Sequence, residues 1–153
     1  MDFGNRALQL RPVRMDDFQF VWSLYRDLMK PLTVELLGKW NETAQRQTIE
    51  LALTQRGTFI IAKDELNIGW VQVVESLETI YLGQLYVTPS SQNRGVGTAI
   101  LHELTDKARR EGKTLTLDVM KNNRSRELYE RLGFRVIGQS QHKLKMQWRR
   151  AAR

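Results

Sequence analysis

Leu85-Tyr86-Val87-Thr88-Pro89-Ser90-Ser91-Gln92-Asn93-Arg94-Gly95-Val96-Gly97-Thr98 is the stretch whose reading decides the fold. It opens as a strand of β-branched and aromatic residues, breaks at Pro89, and crosses polar turn residues to two glycines. Beyond them Ile100, Leu101, Leu104 and Ala108 recur at helical spacing, and the pattern ends before Gly112. The order is therefore strand, glycine-containing loop, helix. Backbone N–H groups at such a helix start lack intrahelical partners and sit at the positive end of the helix dipole. Gly95 and Gly97 allow the backbone to turn and to approach a ligand closely. This points to a pyrophosphate or another anion held on main-chain donors.

Two familiar phosphate loops do not fit. No lysine followed by serine or threonine comes after the second glycine, which excludes a P-loop. A dinucleotide fingerprint needs a third glycine, and Ile100 stands in its place.

Downstream, Thr114-Leu115-Thr116-Leu117-Asp118-Val119 reads as a strand, so strand, helix and strand form a βαβ unit with parallel strands and a right-handed crossover. A short helix from Arg124 to Leu132 follows, ending at Gly133 with Phe134 as its capping contact. Arg135–Gly138 and Lys143–Trp148 read as a final hairpin. Upstream, Ala7–Val13 alternates as an opening strand, kept to an edge or an end by Pro12. Asp16 is placed to cap a helix whose apolar stripe is Phe18, Val21, Trp22, Tyr25, Leu28 and Met29. Pro31 is expected to interrupt it and start a short new helix ending near Gly38. Trp40 lies on a loop, Asn41 caps the next helix through Ile49, Ala52 and Leu53, and Gly57 stops it. Thr58–Lys63, a turn at Asp64–Asn67, Ile68–Val74 and Thr79–Val87 read as consecutive antiparallel strands.

At 153 residues the chain makes one domain, able to bury about two-thirds of its unfolded surface. The absence of cysteine excludes disulfides, thiolate metal sites and a cysteine nucleophile. With only His102 and His142, no metal site is expected. No apolar run is long enough to span a membrane, and Met1–Arg6 carries no apolar signal core, so a cytoplasmic protein is expected. The formal net charge of +7 suits a basic face for nucleic acid or a membrane, or a site for a polyanionic small molecule. Arg94, Lys107, Arg109, Arg110, Lys113, Lys121, Arg124 and Arg126 cluster in the part holding the glycine loop, and residues 149–153 form a basic tail after a domain spanning 1–148. No helix-turn-helix or RNP-like aromatic pattern supports nucleic acid.

Gln92, Gly95 and Gly97 fill the pattern Gln/Arg-x-x-Gly-x-Gly/Ala, and Asn122-Asn123-Arg124-Ser125-Arg126-Glu127-Leu128-Tyr129-Glu130-Arg131-Leu132-Gly133-Phe134 follows after one strand. The first resembles the acetyl-CoA-binding motif of the GNAT superfamily of N-acyltransferases. The second resembles that family's Asn-x-x-Ala-x-x-Leu-Tyr-Glu-x-x-Gly-Phe segment, with Ser125 in place of the usual alanine. The order of elements is similar from end to end. The resemblance implies a single α/β domain with a mixed, mostly antiparallel sheet, flanking helices, and a parallel strand pair that splays apart.

It also implies a site. Backbone groups at Leu85 and Val87, with Tyr86 between them, would hold the pantetheine arm as a pseudo-strand. The pyrophosphate would lie on the amides of Gln92, Asn93, Arg94, Gly95, Val96, Gly97 and Thr98, with Arg126 nearby, and Asn122 would hydrogen-bond the cofactor. The Val87 N–H would meet the oxyanion, and Tyr129 would protonate the departing thiolate. Relatives often carry a glutamate three or four residues before the position of Val87; here those residues are Gly83 and Gln84, neither a base. Glu78, Asp118 or water remain as alternatives. Tyr25, Glu35, Trp40, Tyr81 and Gln84 are expected to line the acceptor side. The implied function is transfer of an acetyl group from acetyl-CoA to a primary amine, on a small molecule or a peptide, by a monomer or homodimer without a metal. A non-catalytic acyl-CoA-binding domain is the alternative.

Overall fold

A computed structural model describes residues 8–150; the proposed start of the first strand at Ala7, the first residues and Arg153 of the basic tail lie outside them. Along the chain run β1 (Leu8–Pro12), α1 (Phe18–Leu37), α2 (Glu42–Ala52), β2 (Thr58–Lys63), β3 (Leu66–Glu75), β4 (Thr79–Val87), α3 (Val96–Glu111), β5 (Thr114–Met120), α4 (Ser125–Arg131), β6 (Arg135–Gln139) and β7 (Lys143–Trp148). The strands form one sheet in the order β1-β2-β3-β4-β5-β7-β6, parallel only between β4 and β5. Ile60 and Trp70 pack with α1 and α2, whereas their neighbours Ile61 and Val71 pack with α3. Successive side chains of a strand point to opposite faces, so the helices cover the sheet from both sides. Among the described residues no helix is long and apolar enough to cross a membrane.

The start of α1 differs from expectation. Asp16 is exposed and does not cap it; a 3-10 turn, Met15–Asp17, comes first. There Asp17, only 6% exposed, accepts from the Arg14 N–H at 2.8 Å and pairs with both terminal nitrogens of Arg11 at 2.7 and 2.8 Å. Nor does Pro31 break the helix: α1 runs unbroken to Leu37. Proline removes the bond to the carbonyl four residues earlier, but Pro31 and Asp27 both face solvent, where water can satisfy that carbonyl. The helix ends where expected, at Gly38 in the left-handed conformation (φ 77°) with its N–H on Val34 O.

Asn41 caps α2 through the Ala44 N–H at 3.0 Å. Gly57 is not what stops that helix, which ends at Ala52; a Cβ on Gly57 would lie 1.8 Å from the Val73 carbonyl oxygen, so the glycine admits β3. Asp64 and Glu65, both at positive φ (49° and 68°), make the two-residue turn from β2 to β3. At the end of α4, Gly133 (φ 99°) donates to Glu130 O and Phe134 donates to Tyr129 O at 3.0 Å, the paired bonds of a Schellman cap.

Candidate active site

β4 and β5 pair from Thr79↔Thr114 to Leu82↔Leu117 and no further. β5 continues to Met120 on β7, and β4 continues to Val87 on β3. Between them a gap opens, edged by Gly83–Val87, about 16 Å of strand at 3.3 Å per residue. Its apex carries a bulge: Gln72 pairs Gln84 and Val73 pairs Leu82, leaving Gly83 as the extra residue. The bulge shifts the alternation by one position. Ile80 and Leu82 face α3 before it, Leu85 and Val87 after it. The Thr88 N–H bonds to Ile68 O across β3, so by alternation the backbone groups of Tyr86 face β3 while those of Leu85 and Val87 face the gap. Tyr86 packs on the other face, its ring 5.2 Å from Trp70 and 5.6 Å from Tyr25, and its hydroxyl donates to Gln84 Oε1.

The glycine loop closes the open end of the gap. Gln92 Nε2 donates to the Val87 carbonyl at 2.9 Å, fixing the loop to the strand. Asn93 (φ 61°) and Gly95 (φ 81°) both take the left-handed conformation, and Arg94 is exposed. Gly95 is the N-cap of α3, and its carbonyl accepts the first helical bond from the Ala99 N–H at 2.9 Å. The amides of Val96, Gly97 and Thr98 thus form the unpaired first turn. The Val96 side chain is buried, anchoring that turn in the core. Gly97 is ordinary helix; a Cβ there would meet only Leu128 Cδ2 at 3.6 Å, so protein packing does not demand a glycine.

Asn122 Nδ2 donates to Leu32 O at 2.9 Å and to Glu35 Oε1 at 3.1 Å, tying the end of β5 to α1. Its Oδ1 is buried without a partner among the described residues. Leaving an acceptor so costs about 1–3 kcal/mol, which a ligand donor would recover. Tyr129 is 8% exposed, its ring 5.7 Å from Phe134, and its hydroxyl bonds to no described residue. Burial pushes this phenol up to about 12. Tyr86 is raised too, by burial first and then by the phenols of Tyr25 and Tyr129. Arg126 lies on the exposed side of α4, paired with Glu130 at 2.6 Å.

The residues expected on the acceptor side lie on the α1–α2 face, but most have partners. Tyr25 donates to Gln45 Oε1, and its phenol is raised by burial. Trp40 packs tilted, 5.9 Å from the Tyr25 ring and 6.4 Å from that of Trp22, and donates to Glu42 at 2.7 Å. Glu35 is held by Asn122, and Gln84 by Tyr86. Of the alternative bases, Glu78 precedes the start of β4, about 13 Å of strand before the gap opens, so the fold does not bring it to the site. Asp118 lies just past the last β4–β5 pair and accepts the Tyr81 hydroxyl at 2.8 Å. That contact, between residues 37 apart, is one the sequence did not reveal.

The chain matches the model of the Acetyltransferase (GNAT) family over residues 20–134. An uncharacterized N-acetyltransferase of Methanocaldococcus jannaschii is 31% identical over 68 residues, which are 43% of this chain and 30% of that protein's length. The PaiA N-acetyltransferase of Thermoplasma acidophilum, solved in complex with coenzyme A, superposes with a TM-score of 0.73 at 16% identity, covering 94% of this chain and 99% of that one. Naa50 of Arabidopsis thaliana, in complex with the bisubstrate analogue CoA-Ac-MVNAL, gives a TM-score of 0.64 at 16% identity, with 92% and 97% covered.

Proposed function

The chain belongs to the GNAT family of acetyltransferases, and from that premise we propose that it transfers the acetyl group of acetyl-CoA to a primary amine by direct attack in a ternary complex. Residues 1–148 are taken as the transferase domain and 149–153 as a basic tail. The observation that carries the proposal is the Gly83–Val87 edge left unpaired toward β5, which leads through the glycine loop to a helix start with free amides.

In this reading the amides of Val96, Gly97 and Thr98 hold the pyrophosphate, with Arg94 adding charge. The missing Cβ at Gly97 leaves room for that approach. The inward groups of Leu85 and Val87 grip the pantetheine arm and the thioester carbonyl, and the buried Asn122 Oδ1 takes one of the arm's donors. A preorganised backbone N–H there stabilises the oxyanion as it forms. Tyr129 faces the sulfur. Burial, which pushes the phenol up to about 12, makes it a weak acid and disfavours full proton transfer to the thiolate. Tyr129 therefore acts chiefly as a hydrogen-bond donor to the departing thiolate, whose proton comes from the attacking amine. Tyr25, Glu35, Trp40, Tyr81 and Gln84 border the acceptor's path on the α1–α2 face.

The lack of a carboxylate at Gly83 and Gln84 favours a second reading, an acyl-CoA-binding domain without catalysis. Release of free CoA thiol from acetyl-CoA in the presence of varied primary amines separates the two. Amine-dependent release supports the transferase; CoA binding with no release for any amine supports the binding domain.

A further inference from the structure

Asn122 sits in the turn between β5 and α4, and its backbone is pinned on both sides. The Lys121 N–H donates to His142 O at 2.9 Å, and the Asn123 N–H donates to Met120 O at 2.9 Å. What stays free there is the rotation of its side chain, and α1 sets it. Nδ2 donates to Leu32 O at 2.9 Å and to Glu35 Oε1 at 3.1 Å. Leu32 and Glu35 are three residues apart, so they lie on one face of the helix. Thr33, buried beside them, holds this stretch of α1 on the end of β5, its Oγ1 4.0 Å from Met120 Sδ.

Both partners of the amide can only accept, since a carbonyl and a carboxylate have no hydrogen to give. They therefore select the NH2 end of Asn122. Oδ1 is left as the end turned away from them, buried and without a partner among the described residues. The Leu32 carbonyl would be present with any side chain on the helix; the exposed carboxylate of Glu35 is what this sequence adds. We propose that Glu35 is a positioning residue, which holds the Asn122 amide so that an acceptor, Oδ1, is what the cofactor's pantetheine arm meets. This rests on the acetyl-CoA site described above. Glu35 acts through Asn122, and an amide N–H of the arm supplies the donor that Oδ1 lacks. The sign of its effect separates positioning from charge. CoA is a polyanion, so on charge alone removing a nearby carboxylate tightens binding. Positioning demands the reverse.

The test is calorimetry of the full chain with CoA and with 3′-phospho-ADP, which keeps the pyrophosphate and lacks the arm. Glu35→Ala should weaken CoA about fivefold, the scale of one hydrogen bond lost. The same variant should bind 3′-phospho-ADP no more weakly than wild type, which also shows that it is folded. Glu35→Gln loses the same charge but keeps an acceptor oxygen, so its CoA affinity should stay within about twofold of wild type. Glu35→Lys offers only donors and favours the reversed amide, so it should weaken CoA about tenfold despite its favourable charge. In an Asn122→Ala background, Glu35→Ala should change CoA affinity no further. CoA bound by Glu35→Ala as tightly as by wild type, or more tightly, overturns the positioning role and leaves the cofactor site standing. An equal loss for both ligands overturns it too. Wild type that binds no CoA overturns the cofactor site and this proposal with it.

Discussion

Tyr129 and Asp17 are both nearly buried ionisable groups, and burial pushes both upward; they end on opposite sides of their ordinary values because only Asp17 has partners. Nothing offsets desolvation at Tyr129, so the phenol stays protonated and can only donate. Tyr129→Phe keeps the ring against Phe134 and removes that donor. We expect kcat to fall about a hundredfold, the lower end of the range for acid–base groups, because the mismatch with a thiol argues against full proton transfer. CoA affinity should barely move, since a contact to a developing thiolate is made mainly in the transition state. Retention of near-full kcat would make Tyr129 a packing residue. Asp17, by contrast, is held below its ordinary value, first by the hydrogen bond from Arg11 and then by the Arg14 N–H, against the opposing effect of burial. A depressed carboxylate stabilises the fold above its unfolded value, near 3.9, and loses that contribution as pH falls through the folded one. Asp17→Asn should cost about 2 kcal/mol at pH 7, the scale of a charged hydrogen bond. Urea titrations should show the gap between variant and wild type closing below about pH 4; a constant gap down to pH 2 would contradict this account.

At the scale of elements, what could be read from sequence was what local chemistry determines. The Gly133–Phe134 cap, the Asn41 cap and the boundaries of β2, β4 and β7 follow from residues adjacent in the chain. Pro31 misled because its cost depends on which side of α1 faces water, and that is set by tertiary packing. The Gly83 bulge was hidden for a related reason: it is defined by the partner strand, and it reverses the alternation that would otherwise be read through β4. Tyr81 and Asp118 were each singled out, but their meeting depends on a parallel register that no local signal encodes. The glycine loop was legible as an anion site, yet its two glycines differ in kind. Gly95 needs its residue type for the fold, being at φ 81°, so Gly95→Val should lower stability as well as CoA affinity. Gly97 has no such need. Gly97→Val should weaken CoA binding more than tenfold while changing stability by no more than about 1 kcal/mol. Calorimetry beside thermal melts would show the contrast, and wild-type CoA affinity in Gly97→Val would remove the anion-loop assignment.

For the whole molecule the gap divides one sheet into two parts. β1–β4 carry α1 and α2, while β5, β7 and β6 follow α3, and among the described residues the strands of the two parts pair along Thr79–Leu82 and Thr114–Leu117. Further contacts join them: Tyr81 donates to Asp118, Thr33 Oγ1 to Met120 Sδ and Asn122 to α1, while α3 packs beneath β4 and β5. A pantetheine arm lying in the gap would add donors and acceptors to Leu85 and Val87 on one side and to Asn122 on the other. Bound CoA should therefore stabilise the domain as a unit. Mass action gives about 2.7 kcal/mol at a hundredfold excess over the dissociation constant. For a domain of this size each kcal/mol raises the melting temperature about 2–4 °C, so the melt should move up by roughly 5–11 °C and stay a single transition. Adenosine lacks both the pyrophosphate and the arm and should move it by less than about 1 °C at the same concentration. Scanning calorimetry with and without CoA decides: no upward shift at millimolar CoA would mean that the gap is not a cofactor cleft, whatever the family of the fold.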